Sequence, residues 1–441
     1  MQNPDSFYKE QLELNQVESK RIFKQMSLLS ILRLSVFVLT TFAIYFTFNQ
    51  WQVAAVIGII GTVIFLFLLS RYTDIKSKRS LHKRLVIINE DELKIASGDF
   101  HDRVNGTQFQ NPKHHYSLDI DLFGIGSFFQ FINRTAIKEG TEKLTEHLLA
   151  NDISNIETRQ EAIQELASLP KWRQNYSGVA QGVEVENSAK SIIKWLKDYK
   201  PFLGSIQYWF TIGFSFTSVL ILVLGITEII SITRAGYLLL GWLILGLGIT
   251  AMYLKRINRV AQNTEKAKDT FRQYALLLER IETEEFKSQL LKEQQQKIQS
   301  EDLKFSKALD ALDNRNNLIS AIFGNGLLLW DIRQTYHVEQ WITKYADKVE
   351  DWFNVVTFFD AYNSFGNYAF NHQSFTYPKI TDQPVTILAE SLGHPLLNSE
   401  KRIDSDLELQ EEQFFIITGA NMAGKSTFLR TVALHIVMAN V

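Results

Sequence analysis

Four apolar runs, arranged as two close pairs, constrain this chain more than any other feature. Leu28 to Phe48 and Trp51 to Ser70 form the first pair, with Arg33 their only charge and Asn49 and Gln50 between them. Tyr208 to Ile230 and Ala235 to Leu254 form the second, with Glu228 near the end of its run and Arg234 in the turn. Each run is about 20 residues long, enough to cross the ~30 Å of hydrocarbon in a bilayer as a helix. Runs of spanning length in two pairs predict two transmembrane hairpins rather than very apolar core helices. No signal peptide is expected, because the first apolar region is too long and no small-residue cleavage site closes it.

Basic residues orient the hairpins. Lys20, Arg21 and Lys24 precede the first, and Arg71, Lys76, Lys78, Arg79, Lys83 and Arg84 follow it. Lys194, Lys197 and Lys200 precede the second, and Lys255, Arg256 and Arg259 follow it. The positive-inside rule then puts both ends of each hairpin in the cytoplasm, as in a multi-pass protein of the cell (inner) membrane. A net charge of −2 provides no global basic field, so any contact with DNA has to be local. The chain has no cysteine, which excludes disulfides and thiolate metal sites.

The last stretch carries the chemistry. Phe414 to Thr418 reads as a short buried parallel strand, followed by Gly419, Ala420, Asn421, Met422, Ala423, Gly424, Lys425 and Ser426, a G-x-x-x-x-G-K-S loop. Leu429, Val432, Ala433, Ile436 and Val437 then recur at helical spacing. In such a loop the two glycines let successive backbone N–H groups face the phosphates of ATP, and Lys425 meets the β- and γ-phosphates. Ser426 is the expected Mg²⁺ ligand and Thr427 the expected helix cap, with Gly419 to Thr427 as the nucleotide-binding residues.

The soluble stretches read mainly as helix. Met1 to about Gln25 is a polar segment with Asp5 or Ser6 as helix cap, and Glu90 to Ala96 reads as a short helix closed near Gly98. Gln108 to Tyr116 reads as loop, and because nothing with ligand spacing accompanies the His114-His115 pair, it is expected to be loop surface rather than a metal site. Arg256 to Asn317, almost free of glycine and proline, reads as long helices mostly solvated on one side; a basic DNA-gripping face is the alternative, which the interleaved acidic residues disfavour. Leu318 to Trp330, interrupted at Gly324 and Gly326, is too short to span and is expected to be a buried helix. Trp341 and Trp352 are expected in the core.

The loop TGANMAGKSTFLRTVAL resembles that of the MutS family of DNA mismatch-repair ATPases, G-P-N-M-G-G-K-S-T, departing from it at Ala420 and Ala423. The resemblance extends to Asp121-Leu-Phe-Gly, Ser127, Asn133-Arg134-Thr135, Gly140 and Arg159-Gln160-Glu161-Ala162, which look like the MutS core. Phe359-Asp360-Ala361, Phe365, Ala369, Tyr377-Pro378 and Gly393-His394-Pro395 look like the end of that core and the approach to the ATPase domain. It implies a mainly α fold: two transmembrane hairpins, an all-helical MutS-like core and the beginning of an α/β P-loop ATPase domain.

The segments expected are 1–25 as a cytoplasmic N-terminal segment, 26–72 and 206–254 as the hairpins, 73–205 and 255–380 as two parts of the core, and 381–441 as the start of the ATPase domain. The resemblance further implies ATP and Mg²⁺ as cofactors, a homodimer formed through the ATPase domain, and DNA as a partner beside the lipid bilayer. A membrane scaffold or transporter-associated ATP switch that does not touch DNA is the alternative. No phenylalanine has a glutamate two residues later, so the family's mismatch-reading F-x-E is not expected here. Fourteen residues follow Thr427, so the Walker B carboxylates are not expected in this sequence. It reads as a truncated chain with no catalytic residues of its own, the hydrolysis of ATP belonging to the intact protein.

Overall fold

In a computed structural model of the chain, the residues described are 2–183, 188–298, 320–381, 385–397, 402–410, 413–414, 416–420 and 424–441. Helix dominates them. The first hairpin consists of α1 (Pro4–Thr47) and α2 (Trp51–Ala96), joined by a three-residue turn. Both helices run well past the expected membrane limits at 26 and 72, because the polar residues beyond each apolar run continue the same helical pattern. Asn3, rather than Asp5 or Ser6, caps α1: its side chain accepts from the N–H groups of both of those residues. Glu90 to Ala96 is likewise the last part of α2 and not a separate helix.

Two further helices are long and apolar enough to cross a membrane, making four such helices among the described residues. They are α8 (Ser205–Ile226) and α9 (Ile232–Glu282). Between the hairpins lie α3 (Phe128–Ile132), α4 (Lys138–Ala150), α5 (Ile156–Ser168), α6 (Pro170–Ala180) and α7 (Ala189–Asp198). After them come α10 (Gln289–Gln296), α11 (Asn325–Leu328), α12 (Trp330–Asn371) and α13 (Lys425–Asn440). Part of the polar helical stretch read over 256–317 lies outside the described residues. The described sheet is one antiparallel pair, β1 (Val385–Leu392) with β2 (Ser405–Gln410).

The chain divides into two compact units. Residues 1–182, 287–290 and 359–441 make the first, and 183–286 with 291–358 make the second. The first has a core of Leu122, Phe123, Phe129, Leu144, Leu148 and Leu166, all nearly inaccessible. In the second, Phe271 and Tyr274 of α9 pack with tilted rings against Phe353, and Trp341 and Trp352 are buried as expected.

Phe414 to Thr418 is not a strand in its described part. Phe414 is 82% exposed and Ile416 75% exposed, and no described strand lies alongside to accept their backbone hydrogen bonds. A parallel strand is stable only when paired and covered on both faces, and neither condition is met here.

Candidate functional site

The candidate site is the loop that ends at the N-terminus of α13. Gly424 occupies the N-cap position with φ 78°, a left-handed conformation that a side chain would strain. Among the described residues no side chain caps the first turn, and Thr427 lies inside the helix rather than at its cap; the first backbone bond returns from Phe428 N–H to the Gly424 carbonyl at 2.9 Å. The helix start therefore presents the positive end of its dipole beside the loop. Lys425 folds back over that loop, its Nζ donating to the carbonyls of Gly419 and of Ala420, the latter at 2.9 Å. Ser426 and Thr427 are exposed. Asn421, Met422 and Ala423 lie outside the described residues.

The face that α13 buries is not the whole face predicted. Thr431, Leu434 and Val437 are buried, whereas Leu429 and Ile436 stay 56% and 41% exposed. Polar contacts fix the helix along its length. The Arg430 guanidinium pairs with Asp121 at 2.7 Å and donates to the Asp119 carbonyl, and His435 Nε2 meets the Gly393 carbonyl at 2.9 Å. At the far end Arg159 donates to the Asn440 carbonyl at 2.9 Å, and the Asn440 amide donates to Asn151 Oδ1. Arg430 and His435 were not singled out in the sequence, although both sit on the loop helix within three turns of Lys425.

The other motif residues converge on a buried polar junction in the same unit. Asp360 in α12 accepts from Ala136 N–H and Ile137 N–H, both close to 3.0 Å, and so stands at the open start of α4. Gly140 lets it in: a Cβ there would lie 2.0 Å from Asp360 Oδ2. Burial pushes the Asp360 carboxyl up to about 7, against the pull of the two backbone donors. One turn later on α12, Ser364 Oγ accepts from Arg134 N–H at 3.0 Å.

Glu92, in α2, was not anticipated at all. It takes two contacts from the Arg134 guanidinium, at 2.5 and 3.2 Å, and one each from the amides of Asn367 and Asn371. Burial alone would raise its pKa, but the Arg134 charge and hydrogen bonds outweigh it and hold the carboxyl low. Tyr8 of α1 reaches the same cluster by donating to Asn371 Oδ1 at 2.7 Å, and Arg173 of α6 by donating to Asn367 Oδ1 at 2.7 Å. Residues more than 200 apart in sequence are thus joined through charge and backbone donors. His114 sits in a turn with its ring 3.2 Å from the Leu149 carbonyl, and no His, Asp or Glu group able to hold a metal occurs among the described residues.

Comparison with known proteins finds short, local similarity. The curated relatives carry the name DNA mismatch repair protein MutS. That of Petrotoga mobilis is 34% identical over 105 residues, 23% of this chain and 12% of its own length. That of Acetivibrio thermocellus is 38% identical over 77 residues, 16% and 9% of the two chains. That of Halothermothrix orenii reaches 61% identity over 36 residues, 8% of this chain and 4% of its own. The chain therefore spans about a tenth or less of the length of these relatives, and the relationship is MutS-like over a limited stretch. No family model matches, and no solved structure matches.

Proposed function

We propose that this chain is part of a membrane-embedded, MutS-like ATP-binding protein whose nucleotide state is relayed through α13 to the helical core. The observation that carries the reading is the left-handed Gly424 at an uncapped helix start, with Lys425 held over the loop carbonyls. A nucleotide phosphate would replace weak carbonyl acceptors with a full negative charge for that ammonium. Successive loop N–H groups would line the phosphates, and Ser426 would reach Mg²⁺. Bound Mg²⁺ supplies charge neutralisation at the β- and γ-phosphates.

In this reading 381–441 begins the nucleotide domain, 73–205 and 255–380 form the core, and the loop lies on the cytoplasmic side with ATP. Two copies would meet through their nucleotide domains. The relatives' names connect the protein to mismatch repair, which makes DNA the first partner to test.

The full chain in lipid nanodiscs should bind a fluorescent ATP analogue with Mg²⁺. Lys425→Ala should weaken that affinity at least tenfold, a loss of about 1.4 kcal/mol or more. Unchanged affinity would remove Lys425 from the site. A second reading, an ATP switch acting on a membrane partner without DNA, is favoured by the interleaved acidic and basic residues of 256–298. Affinity for duplex or mismatched DNA that falls steeply with salt supports the first reading, and no binding at low salt supports the second.

A further inference from the structure

The second unit holds a short apolar segment that its length alone would place outside a membrane. Ser320–Gly324 forms a single π-helical turn, α11 follows directly, and Leu329 then adopts a left-handed φ of 50° before α12 begins. This broken element lies against the apolar parts of α8 and α9. A Cβ on Gly246 of α9 would sit 2.2 Å from the Gly326 carbonyl oxygen, and one on Gly326 would sit 2.7 Å from Leu243 Cγ. The backbones meet only because both residues are glycine, the arrangement that close packing within a bilayer favours. The carbonyls of Leu327 and Leu328, left over at the end of α11, accept from Ser218 Oγ at 2.5 Å and Ser215 Oγ at 3.1 Å. Non-helical backbone at membrane depth requires that kind of satisfaction by protein.

The register gives the depth. Gly246 is eight residues before Leu254, the end of its apolar run, which is about 12 Å of helix. Ser218 is ten residues beyond Tyr208, where its own run begins, or about 15 Å. Both place Gly326 near the middle of a ~30 Å hydrocarbon layer. The return path agrees. Ile332 joins Leu203, Phe214 and Ile257 in one buried cluster, and Tyr336, ten residues after Gly326, stacks on Tyr208 at 4.8 Å. Tyr208, Tyr253 and Tyr336 thus mark the interface level that aromatic residues prefer. Phe323 (52% exposed), Ile322 (39%) and Leu328 (36%) face outward with nothing polar to justify contact with water.

We propose that residues 320–336 form a re-entrant membrane element: it turns near the bilayer midplane, seats its backbone against Gly246 and Ser218, and presents Ile322, Phe323 and Leu328 to lipid acyl chains. The inference rests on the second hairpin being membrane-embedded, and the test separates the two. Because the chain has no cysteine, Phe323→Cys, Leu328→Cys, Leu220→Cys in α8 and Ile380→Cys can each carry one fluorophore in the full chain in liposomes. Lipids brominated at mid-chain should quench the labels at 323 and 328 as strongly as at 220 and several-fold more than at 380.

Quenching at 220 alone, with 323 and 328 reactive towards a membrane-impermeant maleimide, would overturn the re-entrant element while leaving the hairpin in place. Absence of quenching at 220 would remove the hairpin from the membrane and the proposal with it. Gly326→Val, combined with the label at 323, should abolish its quenching and leave that at 220 intact. Full quenching retained in that variant would overturn the seating against Gly246.

Discussion

The buried junction around Glu92 and Asp360 and the glycine loop before α13 treat charge in opposite ways. At the junction every carboxylate oxygen meets donors from its own chain: Arg134, Asn367 and Asn371 at Glu92, and two backbone N–H groups at Asp360. At the loop, among the described residues, the cation meets only backbone carbonyls, and the helix start has no side-chain cap. Both regions carry sequence motifs, yet one answers its charges with ionic and amide partners from distant helices and the other turns its cation onto the carbonyls of the loop just before it.

The largest effect should come from unpairing the junction. Glu92→Ala strands the Arg134 guanidinium, which is only 12% exposed, and should cost about 3–5 kcal/mol in urea unfolding of the full chain in detergent. A loss below about 1 kcal/mol would mean the pair is not closed off from water.

The two carboxylates should also respond to pH in opposite senses. Glu92 is held low, so its stabilisation is present above the ordinary carboxylate range and is lost as pH falls through its lowered folded pKa. Asp360 is raised from 3.8 to about 7, so its contribution is full below 3.8 and is lost as pH rises towards 7. Within that window it should remove about 1.4 kcal/mol of stability per pH unit. Asp360→Asn keeps an acceptor for Ala136 and Ile137 and should delete that slope; an unchanged pH profile would show that Asp360 does not titrate there.

The smallest effect on stability is expected at Arg430→Ala. Its ion pair with Asp121 is exposed on both sides, at 44% and 59%, and should contribute under about 1 kcal/mol. If α13 relays nucleotide state, however, this variant should bind ATP normally while hydrogen exchange over 119–123 no longer changes on binding. An ATP-dependent change that persists in the variant would place the relay elsewhere.

Much of this organisation was legible in the sequence, and the exceptions have physical causes. The apolar runs are helices of spanning length, and Trp341 and Trp352 are core residues, because apolar length and large aromatic area report what must leave water. Glu92 was invisible because nothing local distinguishes a carboxylate that will be buried from one that will be solvated. Its partners Arg134, Asn367 and Asn371 lie 42, 275 and 279 residues away. The expected strand at Phe414 to Thr418 failed for a related reason: an apolar run specifies a buried strand only where neighbouring strands pair with it.

The segment at 320–329 marks the boundary between the two kinds of information. Sequence alone determined that it is apolar, glycine-broken and too short to span, since composition and length are properties of the segment itself. Only tertiary structure decided that it lies against Gly246, Ser215 and Ser218, because close backbone approach and carbonyl satisfaction depend on residues 80 to 113 positions earlier in the chain. For the glycine loop the division is the same. The residue types mark it as a glycine loop before a helix, and the fold decides that Lys425 turns back onto the Gly419 and Ala420 carbonyls.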